Sequence, residues 1–239
     1  MAHSNTIGRL YGVGLGPGDP ELITVKALRI LREVPVIAFP EAKKGANSYA
    51  YQIIEEYINP EEKKLLNLEF PMLKDQDLLE NEWKRAAEEV WQYLKEGQDV
   101  AFVTEGDSLF YSTFIYLDRY IKQIQPNVEV VPVPGISSIL SSAASLRMPL
   151  VEGNQILAVV PAGSDREAMK KALEEHDTVV FIKVAKVLDL MIELLKEMNL
   201  LKNAAVVSKS TSKEERVWTD LSELEGIKIP YLSLMVVKK

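Results

Sequence analysis

The chain contains no cysteine, which removes disulfides and thiolate metal sites from consideration. Histidine is scarce as well: His3 and His176 lie far apart in the sequence, so no protein-held transition metal is expected. Positive charge is in deficit, with 28 Lys and Arg against 35 Asp and Glu and a formal net charge of -7. Nucleic-acid binders need clustered cations to displace counterions from phosphates, so that class of partner is not expected. No apolar run reaches the length of a membrane span, and the first residues lack the charged-then-apolar order of a secretory leader. These absences together predict a cytoplasmic protein with no membrane, nucleic-acid or resident-metal partner, in which any anionic ligand is met by local groups.

What is present is a globular composition. Of 239 residues, 47% are hydrophobic and 26% charged, enough for one large domain or two of ordinary size. Short apolar runs over residues 10–14, 34–39, 64–70, 99–104 and 128–133 read as strands. Pro40 is expected to end the second of them. Between the runs lie helical patterns. Ile23, Ala27, Ile30, Leu31 and Val34 share one face over 20–32, and Leu79, Trp83, Ala87, Val90, Trp91 and Leu94 share one face over 75–96, where Gly97 stops the pattern. Further helices are expected over 48–58, 109–124 and 136–145. Strands alternating with helices imply a parallel sheet covered on both faces. Residues 147–153 carry punctuation and little periodicity, so the domain boundary is expected there, giving domains of 1–149 and 150–239. The second half offers strands over 156–160, 178–183, 204–208, 215–219 and 230–237, with helices over 165–175 and 186–198. Short connections between the last three strands predict hairpins. The expected fold is therefore α/β, with a mostly parallel five-stranded sheet in the N-terminal domain and a mixed five-stranded sheet in the C-terminal one.

Gly12, Gly14, Gly16 and Gly18 occupy alternate positions directly after the first strand, followed by Asp19 and Pro20 as a helix-start signal. Backbone must come close to something here. A dinucleotide fingerprint needs glycines at relative positions one, three and six, but the sixth position is Pro17 counting from Gly12 and Asp19 counting from Gly14. The lysine of a phosphate-binding loop is missing too. The alternative is a tight strand-to-helix turn that binds nothing. Open α/β sheets bind ligands beyond the carboxyl ends of their strands. Three turns fall there: 14–19, 104–108 and 132–138. Each alone could be an ordinary loop, whereas together they would line one crevice.

With Tyr11 to Asp19 followed by Glu21-Leu22-Ile23-Thr24, Glu105-Gly106-Asp107 followed by Phe110-Tyr111-Ser112-Thr113, and Val133 to Ser138, the chain resembles the tetrapyrrole (corrin/porphyrin) methyltransferases over essentially its full length. The long stretch from Ser48 to Trp83 with Phe70-Pro71-Met72, the Phe181-Ile182-Lys183 sequence and the ending Pro230 to Ser233 resemble the members that methylate C20 of precorrin-2 or cobalt-factor II. One departure is Ser108, where the family usually has proline. Loss of that proline is expected to free the loop somewhat.

The resemblance implies two α/β domains with S-adenosylmethionine held between them. It places that co-substrate against Pro17, Glu105, Gly106, Asp107, Ser137 and Ser138, and in the C-terminal half against Lys183, Ala205, Tyr231 and Leu232. Gly16, Gly18 and Asp19 would border the tetrapyrrole substrate. The alternative readings are a cap for a helix starting near Leu109 at Asp107, a solvated strand-end charge at Lys183 and a packed aromatic at Tyr111. Arg9, Lys43, Lys44 and Arg147 are candidates for the substrate's carboxylates, against the plainer reading of solvated surface charge. The implied activity is methyl transfer to C20 in cobalamin biosynthesis, in which alignment of donor and acceptor carries much of the rate. Glu105, Asp107 and Tyr111 are the candidate groups for removing the C20 proton, with no single one expected to be indispensable. Uroporphyrinogen-III methylation, and a non-catalytic tetrapyrrole or S-adenosylmethionine sensor, are the alternatives. A homodimer is the expected assembly.

Overall fold

In the computed structural model, residues 6–41, 48–71 and 75–239 are described. The chain divides into two units, 1–137 and 138–239. This division falls earlier than the break expected at 149/150. The reason is packing: Ile139 and Leu150 are buried in one cluster with Val180, Ile182, Leu234 and Val236 of the second unit, and Leu146 and Met148 pack against it.

The N-terminal unit is built on strands β1 (Leu10–Gly14), β2 (Val36–Glu41), β3 (Lys64–Glu69), β4 (Val100–Thr104) and β5 (Val130–Val133). They form one sheet in the order β3-β2-β4-β1-β5, and every pair is parallel. All five carboxyl ends therefore lie along one edge. Helices α1 (Val25–Glu33), α2 (Tyr49–Ile54), α3 (Gln76–Leu94) and α4 (Phe114–Ile124) cover the faces. β4 is buried along its whole length, as a central parallel strand must be. Its alternation sends Val100 and Phe102 into a cluster with Trp83, Ala87 and Val90 of α3 and Phe114 and Leu117 of α4. Ala101 and Val103 enter the opposite cluster with Ala27, Ile30 and Leu31 of α1 and Ile53 and Ile54 of α2. The α3–α4 contact is tightened by Trp83 stacked on Tyr116, centroids 3.9 Å apart and planes 7° apart.

Three local expectations change. The helix read over 20–32 splits: Asp19 caps a single 3-10 turn at Pro20–Leu22, and Thr24 accepts the Ala27 N–H to open α1 afresh. Pro40 lies inside β2 instead of ending it. Pairing of β2 with β4 stops at Ala38, whereas pairing with β3 continues to Glu41. The Pro35 and Glu41 carbonyls bond to β3, so Pro40 faces the side where no ladder remains and its missing N–H costs nothing there. Finally, the helix expected from 109 begins only at Phe114, because Tyr111 adopts a left-handed φ of 54° that a helix cannot contain.

The C-terminal unit opens with α5 (Ser138–Leu146) and continues through β6 (Leu157–Pro161), α6 (Arg166–Glu175), β7 (Thr178–Ile182), α7 (Leu188–Glu197), β8 (Ala204–Ser208), β9 (Arg216–Trp218) and β10 (Ser233–Lys238). Its sheet runs β6-β7-β10-β8-β9, parallel between β6 and β7 and antiparallel elsewhere. Phe181, Val206, Met235 and Val237 face α6 and α7. Both sheets match the expected α/β architecture. Among the described residues, no helix is long and apolar enough to cross a membrane.

Candidate active site

The strand order places β1 between β4 and β5, so the turns after these three strands become neighbours. The alternate glycines are then explained one by one. Gly12 makes room for an aromatic ring: a Cβ there would stand 2.2 Å from the Phe114 ring. Gly14 meets backbone, with a Cβ 2.7 Å from both the Gly106 carbonyl and the Gly135 nitrogen. Gly16, at φ +85°, exchanges backbone hydrogen bonds with Gly106: its N–H donates to the Gly106 carbonyl (3.2 Å) and its carbonyl accepts the Gly106 N–H (2.7 Å). The close approach inferred from sequence is real, but much of it is to the protein itself. Pro17 is buried beside this bridge in the chain, and Gly18 and Asp19 are half-buried. Asp19 accepts the Glu21 N–H at 2.9 Å, so its capping role is visible.

Asp107 ties two of the turns together. One carboxylate oxygen accepts the Leu109 N–H (2.9 Å), and the other accepts the Gly135 N–H (3.0 Å) from the turn after β5. The cap expected near Leu109 therefore exists as a turn, not as a helix start. Ser108 closes the same gap, its hydroxyl donating to the Val133 carbonyl at 3.2 Å while the residue is buried. Where the family usually has proline, a hydrogen bond thus ties the turn after β4 to the end of β5. Farther along, Ser112 donates to the Thr104 hydroxyl (3.2 Å) and accepts the Phe114 N–H (3.1 Å), which anchors the far foot of the loop.

Glu105 is partly accessible as a residue, yet its carboxyl turns inward. Burial pushes its pKa above the ordinary carboxylate value, against the opposing pull of hydrogen bonds from its own N–H and that of Ala50 in α2. Tyr111 is 48% exposed and packs edge to face on Phe110. Ser137 is half-buried at the end of the N-terminal unit, and Ser138, exposed, opens α5.

Within the C-terminal unit, antiparallel pairing brings Lys183, Tyr231 and Leu232 to one end of the sheet: Ile182 is opposite Leu234, with Lys183 directly after the former and Tyr231 and Leu232 just before β10. Lys183 is exposed in a left-handed conformation at φ 59°, and the Leu232 carbonyl accepts the Lys209 N–H at 2.7 Å. Ala205 is not with them. It is buried in the sheet opposite Val236, toward the other end of β8.

Of the basic candidates, Arg9 precedes β1 at the amino end of the sheet, away from these turns, and pairs with Glu129 at 2.7 Å. That placement removes it from the edge where the substrate was expected. Arg147 is exposed just beyond α5, and Lys43 and Lys44 lie outside the described residues. Sequence reasoning passed over Gly135 and Ser112 as individual residues and noted Ser108 only for its missing proline, since nothing in their local patterns names the distant groups they meet. A groove of about 620 Å3 exists elsewhere, between β3 and α3. Its rim carries Arg85 already paired with Glu69 and Glu82, so it is a poorer seat for a macrocycle than the carboxyl edge.

A parallel sheet with backbone-rich turns at its carboxyl edge, followed by a mixed α/β unit, defines a class, and the sequence comparisons agree on which. The chain belongs to the tetrapyrrole (corrin/porphyrin) methylases, whose family model matches residues 9–225. It is 38% identical to the probable cobalt-precorrin-2 C(20)-methyltransferase of Methanocaldococcus jannaschii, across 98% of this chain and 97% of that protein. It is 33% identical to the cobalt-precorrin-2 C(20)-methyltransferase of Salmonella typhimurium, across 97% of each. Among solved structures, uroporphyrin-III C-methyl transferase from Thermus thermophilus, complexed with S-adenyl homocysteine, superposes with a TM-score of 0.66 at 21% identity, covering 97% of this chain and 98% of that one. That likeness concerns the fold.

Proposed function

We propose that this chain transfers a methyl group from S-adenosylmethionine to C20 of precorrin-2 or cobalt-precorrin-2 in cobalamin biosynthesis. The observation that carries the reading is the full-length identity of 38% and 33% with two C(20)-methyltransferases. By contrast, a uroporphyrinogen-III C-methyltransferase from Cyanidium caldarium matches only 63% of the chain. A cytoplasmic homodimer is part of the proposal, to be measured by sedimentation velocity.

S-adenosylmethionine supplies the activated methyl group. The residues fit it: Gly106, at φ +66°, leaves open space where a side chain would stand, with only the Ile136 carbonyl as near as 4.0 Å. Glu105, Gly106, Asp107, Pro17 and Ser137 in the N-terminal unit and Ser138, Lys183, Tyr231 and Leu232 in the C-terminal unit are the proposed contacts, Ala205 being set aside because it is buried toward the other end of β8, and Gly16, Gly18 and Asp19 border the substrate. Asp107 acts mainly by holding its loop against Gly135, since both its oxygens already accept backbone N–H groups. The chain's contribution is alignment of donor and acceptor, which can supply about 7 to 11 kcal/mol in favourable cases.

No single side chain is then indispensable for taking the C20 proton. The test is mass spectrometry after incubation with metal-free and cobalt-containing substrate, with calorimetry for the co-substrate. A single methyl gained at C20 is the expected product; a methyl elsewhere, or binding without a mass change, would overturn the reading. For the missing base, a fall of about 10⁴ in kcat at unchanged co-substrate affinity in Asp107→Ala, Glu105→Gln or Tyr111→Phe would reach the upper range for acid–base groups and refute it.

A further inference from the structure

Among the described residues six that are not glycine adopt a left-handed backbone, and two of them, Lys209 at φ 46° and Thr211 at φ 64°, fall in the turn after β8. A β-branched residue rarely takes this conformation, which persists only where its surroundings enforce it. The contacts of this turn reach in two directions. Toward β10, the Lys209 N–H donates to the Leu232 carbonyl at 2.7 Å. Toward α5, the hydroxyl of buried Ser210 meets that of buried Ser141 at 2.8 Å. Ser141 gives its one hydrogen to the Ser138 carbonyl at 3.1 Å, so Ser210 is the donor of the pair.

Glu215 fastens the turn a second time. Its Oε2 accepts both the Thr211 N–H, at 2.5 Å, and the Ser145 hydroxyl, at 2.7 Å. Ser145 stands four residues after Ser141 and so on the same side of α5. The helix is therefore held to the turn at two points one helical turn apart, Ser141 to Ser210 and Ser145 to Glu215. A carboxylate suits the second point, because one oxygen can accept two donors and charge-assisted bonds are stronger than neutral ones. Ser138 at the start of α5 and Leu232 just before β10 are thus both referred to this one strained turn.

We propose that Glu215 is a positioning residue for methyl transfer: through Thr211 and Ser145 it fixes the turn after β8 against α5, and thereby sets the spacing of Ser138 and Leu232 about the co-substrate. The proposal rests on the reading above that Ser138 and Leu232 contact S-adenosylmethionine. Glu215 acts through its neighbours and makes no ligand contact of its own. Alignment is what it supplies, and a displacement of about 1 Å produced far from the chemistry can cost about 100-fold in rate.

The test uses the full chain. Wild type, Glu215→Ala, Glu215→Gln, Ser145→Ala and Leu232→Asp are compared in kcat for cobalt-precorrin-2 at saturating S-adenosylmethionine, in S-adenosylhomocysteine affinity by calorimetry, and in Tm, with every assay run well below the Tm of the variant. Glu215→Ala is expected to lower kcat by about 10- to 100-fold. Ser145→Ala should lower it in the same direction and by less. Glu215→Gln keeps an oxygen that can accept both bonds and should recover most of the rate, with S-adenosylhomocysteine affinity falling and recovering in parallel. The role is overturned by an unchanged kcat in folded Glu215→Ala, or by a Glu215→Gln variant as slow as Glu215→Ala. Should Glu215→Ala fail to fold, an unchanged kcat in Ser145→Ala overturns it instead. Leu232→Asp, at a partly exposed position, separates the two readings. If it leaves S-adenosylhomocysteine affinity unchanged, the co-substrate contacts are misplaced and both readings fall; if it weakens binding while Glu215→Ala alters neither affinity nor rate, only the positioning role fails.

Discussion

Gly135→Ala tests the interlocking of the three turns most directly. A Cβ at this position would stand 2.1 Å from the Gly106 carbonyl oxygen, 2.7 Å from the Gly14 carbonyl carbon and 2.8 Å from the Gly14 Cα. Every one of these atoms is backbone, so no flexible side chain can swing aside. Dihedral strain is not involved, since Gly135 is not among the residues with positive φ. The turn after β5 must therefore withdraw. Overpacking of this kind costs about 1 to 3 kcal/mol. Withdrawal also breaks the Gly135 N–H bond to the Asp107 carboxylate, and hydrogen bonds to charged groups contribute about 1.5 to 3 kcal/mol. The two losses share one movement and add incompletely, giving about 3 to 5 kcal/mol in total. At about 2 to 4 °C per kcal/mol for domains of this size, Tm should fall by about 6 to 20 °C. Thermal melts by circular dichroism measure this, and calorimetry with S-adenosylhomocysteine should show weaker binding in the same variant. Gly163→Ala is the control, because a Cβ there meets nothing within 4 Å. If Gly135→Ala melts within about 2 °C of wild type, a shift smaller than about 1 kcal/mol produces, the close approach of these turns is not what requires glycine.

Gly12→Ala should destabilise the chain through its collision with Phe114, and Phe114→Leu in the same chain should recover part of that loss; purely additive urea-unfolding energies would contradict the contact. Glu105→Gln should change the pH dependence of stability. Because burial raises the Glu105 pKa in the folded state, its stabilising contribution is present below the ordinary carboxylate pKa and is lost as pH rises through the folded-state value. The Tm of Glu105→Gln relative to wild type should therefore increase with pH over that range, and parallel curves would refute the shift. Ser142→Ala should be neutral or stabilising by about 1 kcal/mol, because its buried hydroxyl has no hydrogen-bond partner among the described residues; a loss of more than about 1 kcal/mol in urea unfolding would show that the hydroxyl is satisfied.

Much of the architecture is written locally. The unbroken apolar run of β4 marks a strand buried on both faces, and the helical stripe from Trp83 to Leu94 specifies which face of α3 is buried, since side-chain period follows directly from backbone geometry. The Asp19 cap is legible for the same reason, because its carboxylate bonds within two residues of itself. Local signals fail where a residue answers to something distant. Pro40 reads as a strand end until the shortened β2–β4 pairing is known, and the turn at Tyr111 delays a helix that periodicity alone would start earlier.

The sequence by itself determined that the backbone after the first strand must come close to something, and that three polar turns follow strands of one parallel sheet. Only the tertiary structure decided what the glycines meet. Gly12 faces a ring from α4, while Gly14, Gly106 and Gly135 meet one another because β1 lies between β4 and β5. That strand order depends on crossovers between segments remote in the chain. It also gives Asp107 its second partner at Gly135, and it sets the apolar tip at 109–111 on the same edge.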